Sequence, residues 1–138
     1  MLRGLARNDA GHVDARSEGR RHRSGDGIVV GVDGSPPAQE ALRWAIALGD
    51  CLDLAIVAVH AVGPLDRWRD PDASARSWRR ALSDLVERTW CAPLSRAATA
   101  HRVEVREGHP VDVLLTTAAT QDAALVVVGS RGMGADPA

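Results

Sequence analysis

Apolar runs of strand length alternate with segments of helical periodicity, and this alternation most limits the folds open to the chain. The strand-like runs cover residues 28–32, 54–62, 102–106 and 124–128. Helical spacing of apolar residues marks three segments between them, which are residues 35–48, 74 to about 95 and 111 to about 120. Strands that alternate with helices predict an open parallel α/β sheet with right-handed crossovers.

The four strand-like runs differ in their pattern of polar residues. Residues 54–62 and 124–128 show no alternation, which is typical of strands covered on both faces. Residues 102–106 alternate strictly between polar and apolar side chains, which indicates a strand with one exposed face at a sheet edge. If that strand lies at one edge, the first and fourth strands become neighbours.

The first 27 residues differ in composition from the rest of the chain. They hold six Arg, four acidic residues and five Gly, with almost no apolar periodicity. Such a segment buries too little surface to offset its ordering entropy, so we expect a disordered basic tail over residues 1–27 and a domain over residues 28–138.

Composition excludes several classes of protein. Two cysteines cannot form a disulfide framework, no apolar run reaches the roughly 20 residues of a membrane span, and no signal-peptide pattern opens the chain. We therefore expect a cytoplasmic protein with no membrane partner. The formal charge of -1 argues against a dedicated nucleic-acid binder. The chain has no Lys, which excludes a Walker-type or Schiff-base lysine.

Two loops carry chemistry suited to a ligand, because ligands of open α/β sheets bind beyond the carboxyl ends of the strands. The first loop follows the first strand and holds Asp33, whose carboxylate can accept hydrogen bonds from ribose hydroxyls or a base amine. The second loop, residues 129–134, is rich in glycine, so its backbone N–H groups can converge on an anion. Each loop also has an interpretation without a ligand. Asp33 can serve as an acidic residue at the start of a helix, and the glycines can form a plain turn between a strand and a helix.

Three familiar motifs do not fit these loops. A Walker A loop needs Gly-Lys-Ser/Thr, and the spacing of Gly31 and Gly34 is too short for a dinucleotide fingerprint. A nucleophile elbow needs a Gly two residues before its Ser, but Val128 stands two residues before Ser130. No catalytic residue set and no metal-ligand set is therefore predicted. Most other polar and aromatic residues are interpreted as structural: His60, His101, His109, Cys51, Cys91, Trp78 and Trp90. For Trp68, in a loop predicted from the sequence, a position near a ligand opening is kept as the alternative to a structural role.

Paired motifs at the two ends of the sequence resemble the universal stress protein family, and its actinobacterial members in particular. The resemblance covers about residues 28–134. It rests on three segments: Ile28-Val29-Val30-Gly31-Val32-Asp33-Gly34-Ser35 with the following Arg43-Trp44-Ala45, then Val59-His60-Ala61-Val62, and Val126-Val127-Val128-Gly129-Ser130-Arg131-Gly132-Met133-Gly134. It implies a Rossmann-like domain with strand order 3-2-1-4-5 that binds ATP or another adenine nucleotide, with or without Mg²⁺.

The same resemblance implies the residues of a nucleotide site. Asp33 is implied to contact the adenosine, and the backbone at the end of the second strand is implied to line the adenine pocket. The implied nucleotide-binding residues are Gly31, Val32, Asp33, Gly34, Ser35, Val59, His60, Ala61, Gly129, Ser130, Arg131, Gly132, Met133 and Gly134.

The sequence departs from the family pattern after Gly134. The family's phosphate motif continues with a Gly-Ser or Gly-Thr pair, which would begin ten residues after Gly132 and so beyond Ala138. We therefore expect that the last helix and the fifth strand are missing, as in a truncated or split gene product. That fifth strand commonly builds the family's dimer interface. The resulting expectations are low ATP affinity and an open sheet edge that pairs with a second copy or a strand-donating partner.

These observations leave two classes of function open. The first is a non-enzymatic regulatory module of a stress response that uses a bound adenine nucleotide as its signal. The alternative is a nucleotide-free protein-interaction domain or a non-functional gene fragment. A small hydrolase or nucleotidyl-transferring enzyme on the same fold is disfavoured, because that class usually has a histidine in the first loop and this loop has none. Calorimetry with ATP on Asp33→Ala tests the site.

Overall fold

Strands and helices alternate along the chain in the order that the sequence predicts. The computed structural model describes residues 27–63 and 75–131. Its elements are β1 (Gly27–Gly31), α1 (Pro36–Leu52), β2 (Ala55–Val62), α2 (Ala75–Leu85), a π-helical turn (Val86–Trp90), a 3₁₀ turn (Ala92–Arg96), β3 (His101–Glu107), α3 (Pro110–Gln121) and β4 (Leu125–Val127). Within these residues no helix is long and apolar enough to cross a membrane.

The four described strands form one parallel sheet in the order β3-β2-β1-β4. Val29 of β1 is level with Val57 of β2 and with Val126 of β4. Among the described strands, β3 pairs with β2 alone, so the predicted edge position of residues 102–106 is confirmed. The predicted Rossmann-like order 3-2-1-4 is confirmed as well, and it makes the carboxyl ends of β1 and β4 neighbours.

Each face of the sheet is covered by different helices because strand side chains point alternately to its two sides. Helices α1 and α2 cover one face, whose buried residues include Ile28, Val30, Leu42, Ile56 and Val86. Helix α3 covers the other face through Val113, which packs with Val29, Val57 and Val59. Strands β1 and β2 are buried on both faces, as their unbroken apolar runs predict.

The second helix is shorter than the sequence predicts. A single helix from residue 74 to about 95 is wrong, because α2 ends at Leu85 and a π-helical turn follows. The Cys91 N–H donates to the Val86 carbonyl oxygen at 2.8 Å, which is the i to i+5 bond of a π turn. The wider turn directs Trp90 into the core and leaves Thr89 exposed.

Two further interpretations of the strands need correction. The sequence predicts a strand buried on both faces over residues 124–128. In the structure β4 is three residues long, and its Leu125 and Val126 are 40% and 42% exposed. The polar face of β3 is half-buried rather than exposed. Glu104 forms ion pairs with both Arg102 and Arg106, which lets the charged face of this strand leave water.

Several predictions fall outside the described residues. They concern residues 1–26 of the predicted tail, the position of Trp68, and the part of the glycine-rich loop that holds Gly132, Met133 and Gly134. These remain predictions from the sequence.

Candidate functional site

The two loops that the sequence singles out meet at the carboxyl ends of β1 and β4. Val30 of β1 is level with Val127 of β4, so both strands end at the same height in the sheet. The Ser35 hydroxyl oxygen lies 3.5 Å from the Arg131 carbonyl oxygen. The loop after β1 (residues 32–35, the β1 loop) and the loop after β4 (residues 128–131, the β4 loop) therefore form one continuous surface.

Asp33 organises the β1 loop through one of its carboxylate oxygens. Its Oδ1 atom accepts hydrogen bonds from the Ser35 backbone N–H at 2.9 Å and from the Ser35 hydroxyl at 2.5 Å. Ser35 in turn caps helix α1, because its Oγ atom accepts from the Ala38 N–H at 3.4 Å. The helix-start role of Asp33 is thus observed, and it fixes the position of the carboxylate at the end of β1.

Gly34 allows the Trp90 indole to lie directly against the β1 loop. Gly34 has a φ of +82°, and a Cβ built on it would stand 2.5 Å from Trp90 Cε2 and 2.6 Å from Nε1. No side chain fits there, and the left-handed backbone also favours glycine. The indole is only 8% exposed, so it forms a buried wall of the site.

His60 ties the end of β2 to the β1 loop. Its Nδ1 atom lies 2.8 Å from the Val32 carbonyl oxygen. A carbonyl can only accept, so Nδ1 carries the proton and donates to Val32. The imidazole also meets the Trp90 indole edge-to-face, with ring centroids 5.0 Å apart and an interplanar angle of 78°. His60 is buried, and its ring therefore positions the β1 loop and Trp90 together.

The backbone at the end of β2 is partly used within the protein. The Val32 N–H donates to the Val59 carbonyl oxygen at 2.9 Å, and this hydrogen bond fixes the β1 loop to strand β2. Val59 is fully buried, whereas Ala61 is half-buried at the end of the strand. Of the three residues predicted to line an adenine pocket at β2, Ala61 is thus the most accessible.

Gly129 brings the β4 loop against the start of helix α1. A Cβ on Gly129 would stand 2.7 Å from the Pro37 carbonyl carbon and 2.8 Å from the Ala38 nitrogen, both of which are backbone atoms. Gly31 is less confined, since its Cβ would meet side-chain atoms of Leu114 and Val128 at 3.3 Å. The glycine that begins the predicted phosphate loop is therefore required by close packing of two backbone segments.

The amino terminus of α1 offers few donors to a phosphate. Pro36 and Pro37 have no N–H, and the Ala38 N–H is taken by the Ser35 hydroxyl. The β4 loop, which lies against this end of α1, exposes polar residues. Ser130 and Arg131 are both exposed there, and Arg131 supplies a guanidinium, which suits phosphate recognition.

An open groove of about 640 Å³ extends from the β4 loop along helix α1. Its lining combines Trp44, Arg43 and Glu40 of the helix with Val128 and Ser130 after β4. The groove contains both apolar and charged groups, and it adjoins the residues predicted to bind a nucleotide.

Two residues of the site were not identified from the sequence as functional. Trp90 was assigned to helix packing, and Gln39 was not singled out at all. The Gln39 side-chain N–H donates to the Trp90 carbonyl oxygen at 2.9 Å, which fixes the π turn to helix α1. No local sequence signal marks either residue, because their meeting depends on where the polypeptide crosses the sheet after α2.

Comparison with known proteins is consistent with this architecture. The profile described as the universal stress protein family matches residues 26–136. A universal stress protein of Mycobacterium tuberculosis (strain ATCC 25618 / H37Rv) is 32% identical over 120 residues, which cover 80% of this chain and 39% of that relative. The chain thus spans well under half the length of this curated relative.

Two solved structures share the fold. A universal stress protein in complex with cAMP has a TM-score of 0.57 at 19% identity, covering 75% of this chain and 72% of that one. An AMP-bound member of the family from Arabidopsis thaliana has a TM-score of 0.53 at 20% identity, covering 78% of this chain and 77% of that one.

Proposed function

The chain belongs to the universal stress protein family, and we propose that it is a regulatory module of a stress response that binds an adenine nucleotide between its β1 and β4 loops. The observation that carries the proposal is the meeting of these loops, with the Ser35 hydroxyl 3.5 Å from the Arg131 carbonyl oxygen. Ligands of open parallel sheets bind at this kind of junction. The cAMP and AMP complexes of two structural neighbours support adenine as the base.

The residues present divide the recognition of a nucleotide between the two loops. Asp33 supplies an acceptor for ribose hydroxyls or the base amine, and Ala61 supplies accessible backbone at the end of β2. The exposed Arg131, with the backbone N–H groups of Gly129 and Ser130, supplies donors for phosphate. This set fits ATP as well as AMP or cAMP.

We propose binding rather than catalysis. Ser35 is hydrogen-bonded to a carboxylate, an arrangement that resembles an activated hydroxyl. Its side chain, however, is buried, and its Oγ atom caps α1 through the Ala38 N–H. The His60 Nδ1–H group donates a hydrogen bond to the Val32 carbonyl oxygen. Both groups are therefore engaged in building the loop, which supports binding without a chemical step.

Titration calorimetry tests the proposal on the full chain with ATP, AMP, cAMP and GTP, each with and without Mg²⁺. The test variant is Asp33→Asn, because Asn keeps an oxygen for the Ser35 N–H but removes the charge. The matched control is Asp53→Asn, which alters the carboxyl end of α1, where a positive φ of 57° suits Asn equally well.

We expect saturable heats with the adenine nucleotides, weakened about tenfold or more by Asp33→Asn, which corresponds to about 1.4 kcal/mol. Asp53→Asn should bind like the wild type. The absence of saturation with every adenine nucleotide would overturn the proposed function. Equal affinities for Asp33→Asn and the wild type would remove Asp33 from the site. A preference for GTP would contradict adenine recognition.

A further inference from the structure

The π-helical turn after α2 (Val86–Trp90, the π turn) is an irregular element that two hydrogen bonds hold in place. The Cys91 N–H donates to the Val86 carbonyl oxygen at 2.8 Å, and the Trp90 carbonyl oxygen accepts from the Gln39 side chain at 2.9 Å. One extra residue in a helical turn rotates the residues that follow by about 100° around the helix axis. Turns of this kind are frequent at functional sites, and this one sets the direction of the Trp90 side chain.

The Trp90 indole lies against the loop that holds Asp33. A Cβ on Gly34 would stand 2.5 Å from the indole Cε2 atom and 2.8 Å from Cζ2. His60 packs edge-to-face on the same indole, with ring centroids 5.0 Å apart, and its Nδ1–H donates to the Val32 carbonyl oxygen at 2.8 Å. The two neighbours of Asp33 in the chain, Val32 and Gly34, are therefore both held by the Trp90–His60 pair.

The hydrogen bonds between Ser35 and Asp33 stay within the β1 loop. The Ser35 N–H and hydroxyl donate to the Asp33 Oδ1 atom at 2.9 Å and 2.5 Å, so this turn can move as a unit. Gly34, with a φ of +82°, gives the unit its greatest backbone freedom. The indole limits that freedom from a part of the chain that is distant in sequence.

We propose that Trp90 is a positioning residue of the nucleotide site, which holds the β1 loop and its Asp33 carboxylate in the arrangement that binds the ligand. This role rests on the proposed function, because it concerns the same site. A loop that is already ordered loses less conformational entropy when a ligand binds, so support from Trp90 strengthens binding without contact to the nucleotide. The indole is only 8% exposed, as such an indirect role requires.

Coupling between the β1 loop and the π turn acts in both directions. A nucleotide that fixes the β1 loop therefore also stabilises the π turn, whose Glu87, Arg88 and Thr89 are exposed. Helix packing alone predicts no such response, because the proposed site lies between the β1 and β4 loops. The Cys91 amide reports on the turn, since its hydrogen bond to Val86 closes it.

Amide hydrogen exchange, followed by NMR on the chain without ligand, tests the support of the loop. Trp90→Leu removes the indole. Trp78→Leu is the matched control, because Trp78 is a half-buried indole that packs on the same core from α2. The Ser35 amide, which donates to Asp33, reports on the loop, and the Val29 amide in the centre of β1 reports on global unfolding.

Relative to the Val29 amide, we expect the Ser35 amide to exchange about tenfold faster or more in Trp90→Leu than in Trp78→Leu. Equal relative exchange in the two variants overturns the proposal.

Calorimetry with AMP tests the consequence for binding, at a temperature where circular dichroism shows both variants to be folded. We expect AMP to bind Trp90→Leu about tenfold more weakly than the wild type or worse, and Trp78→Leu within about twofold. AMP should also slow exchange of the Cys91 amide in the wild type. No AMP binding by the wild type overturns the proposed function and this role with it. Equal affinities of Trp90→Leu and the wild type, or a Cys91 amide that AMP leaves unchanged, overturn this role alone.

Trp90→Phe keeps the test decisive if Trp90→Leu does not fold. Phenylalanine retains an aromatic ring beside His60 but lacks the indole atoms Nε1 and Cζ2 that approach Gly34. We expect a folded protein whose Ser35 amide exchanges faster and whose AMP affinity falls by about threefold or more. A folded Trp90→Phe with wild-type exchange and wild-type affinity overturns the proposal.

Discussion

The Trp90 indole lies so close to Gly34 that a single methyl group at position 34 would stand 2.5 Å from the ring. This contact joins two parts of the chain that are distant in sequence, the loop after β1 and the π turn after α2. His60 contacts both, through its hydrogen bond to Val32 and its edge-to-face packing on Trp90. The shape of the candidate site therefore depends on a wall contributed from outside the two predicted loops.

Gly34→Ala should destabilise the protein by about 2 kcal/mol or more. A left-handed backbone costs a non-glycine residue about 1–2 kcal/mol, and overpacking against a rigid ring adds about 1–3 kcal/mol. Chemical denaturation measures the loss. In a Trp90→Leu background the steric part should shrink, leaving a smaller effect of Gly34→Ala. Gly63→Ala is the control, because a Cβ on Gly63 meets nothing within 4 Å. Additive effects of the two changes would contradict direct contact.

Gly129→Ala and Gly31→Ala should differ sharply although each adds one methyl group. At Gly129 the methyl group would meet the Pro37 backbone at 2.7 Å, so the β4 loop must move away from α1. At Gly31 it would meet side chains of Leu114 and Val128 at 3.3 Å, which can shift by a few tenths of an ångström. We expect the free energy of unfolding to fall by about 1–3 kcal/mol for Gly129→Ala and by less than about 1 kcal/mol for Gly31→Ala.

Melting temperatures of the two alanine variants check this order, and calorimetry with AMP extends it to binding. Gly129→Ala should also weaken nucleotide binding, because the β4 loop would no longer contact the β1 loop. A Gly129→Ala protein as stable as Gly31→Ala would show that the close approach at Pro37 is not needed.

The architecture was predictable because its signals are local. Unbroken apolar runs identified β1 and β2, and the alternating residues 102–106 identified β3 as an edge strand. Because β3 lies at an edge, β1 and β4 were expected to be neighbours, as they are in the structure. The meeting of the two loops at Ser35 and Arg131 is a direct consequence of that order. The parallel sheet requires no information beyond these patterns, whereas the pairing of individual residues was not predicted.

The position of Trp90 and the exposure of β4 could not be predicted in the same way. A π turn adds one residue to a helical turn, so a single helix with Trp90 packed on the sheet gave no sign that the indole reaches Gly34. A run of apolar residues looks the same whether another element covers it or not, and β4 was therefore read as buried. Both errors arise because burial is decided by elements distant in sequence.

Asp50 holds the segment that leads into β3. Its Oδ1 atom accepts from the Ala98 N–H at 2.9 Å and from the Thr99 N–H at 3.0 Å. Asp50→Ala should therefore lower the free energy of unfolding by about 1 kcal/mol, the usual contribution of such bonds at an exposed position. Asp50→Asn retains the oxygen and should lose about half as much. Urea denaturation separates the variants, and equal stability of all three proteins would show that these bonds contribute nothing.

Cys91 should make the protein sensitive to alkaline pH in a way that can be isolated. Burial, and after it the nearby Glu87 carboxylate, raise the pKa of the Cys91 thiol from 9.0 to about 12. Between these values the folded chain keeps the proton that the unfolded chain releases. The free energy of unfolding should therefore be unaffected below about pH 9 and fall above it, by at most about 1.4 kcal/mol per pH unit.

The composition makes this alkaline effect measurable. The chain has no Lys and no Tyr, so its cysteines are the side chains expected to titrate in the alkaline range up to pH 12. Urea denaturation at pH 8 and pH 10.5 should show a clear loss of stability for the wild type and for Cys51→Ser, whose replaced thiol is exposed. Cys91→Ala should start from lower stability, because the change leaves a cavity, yet show little further loss with pH. The same pH dependence in Cys91→Ala and the wild type would show that the buried thiol does not govern the alkaline limit.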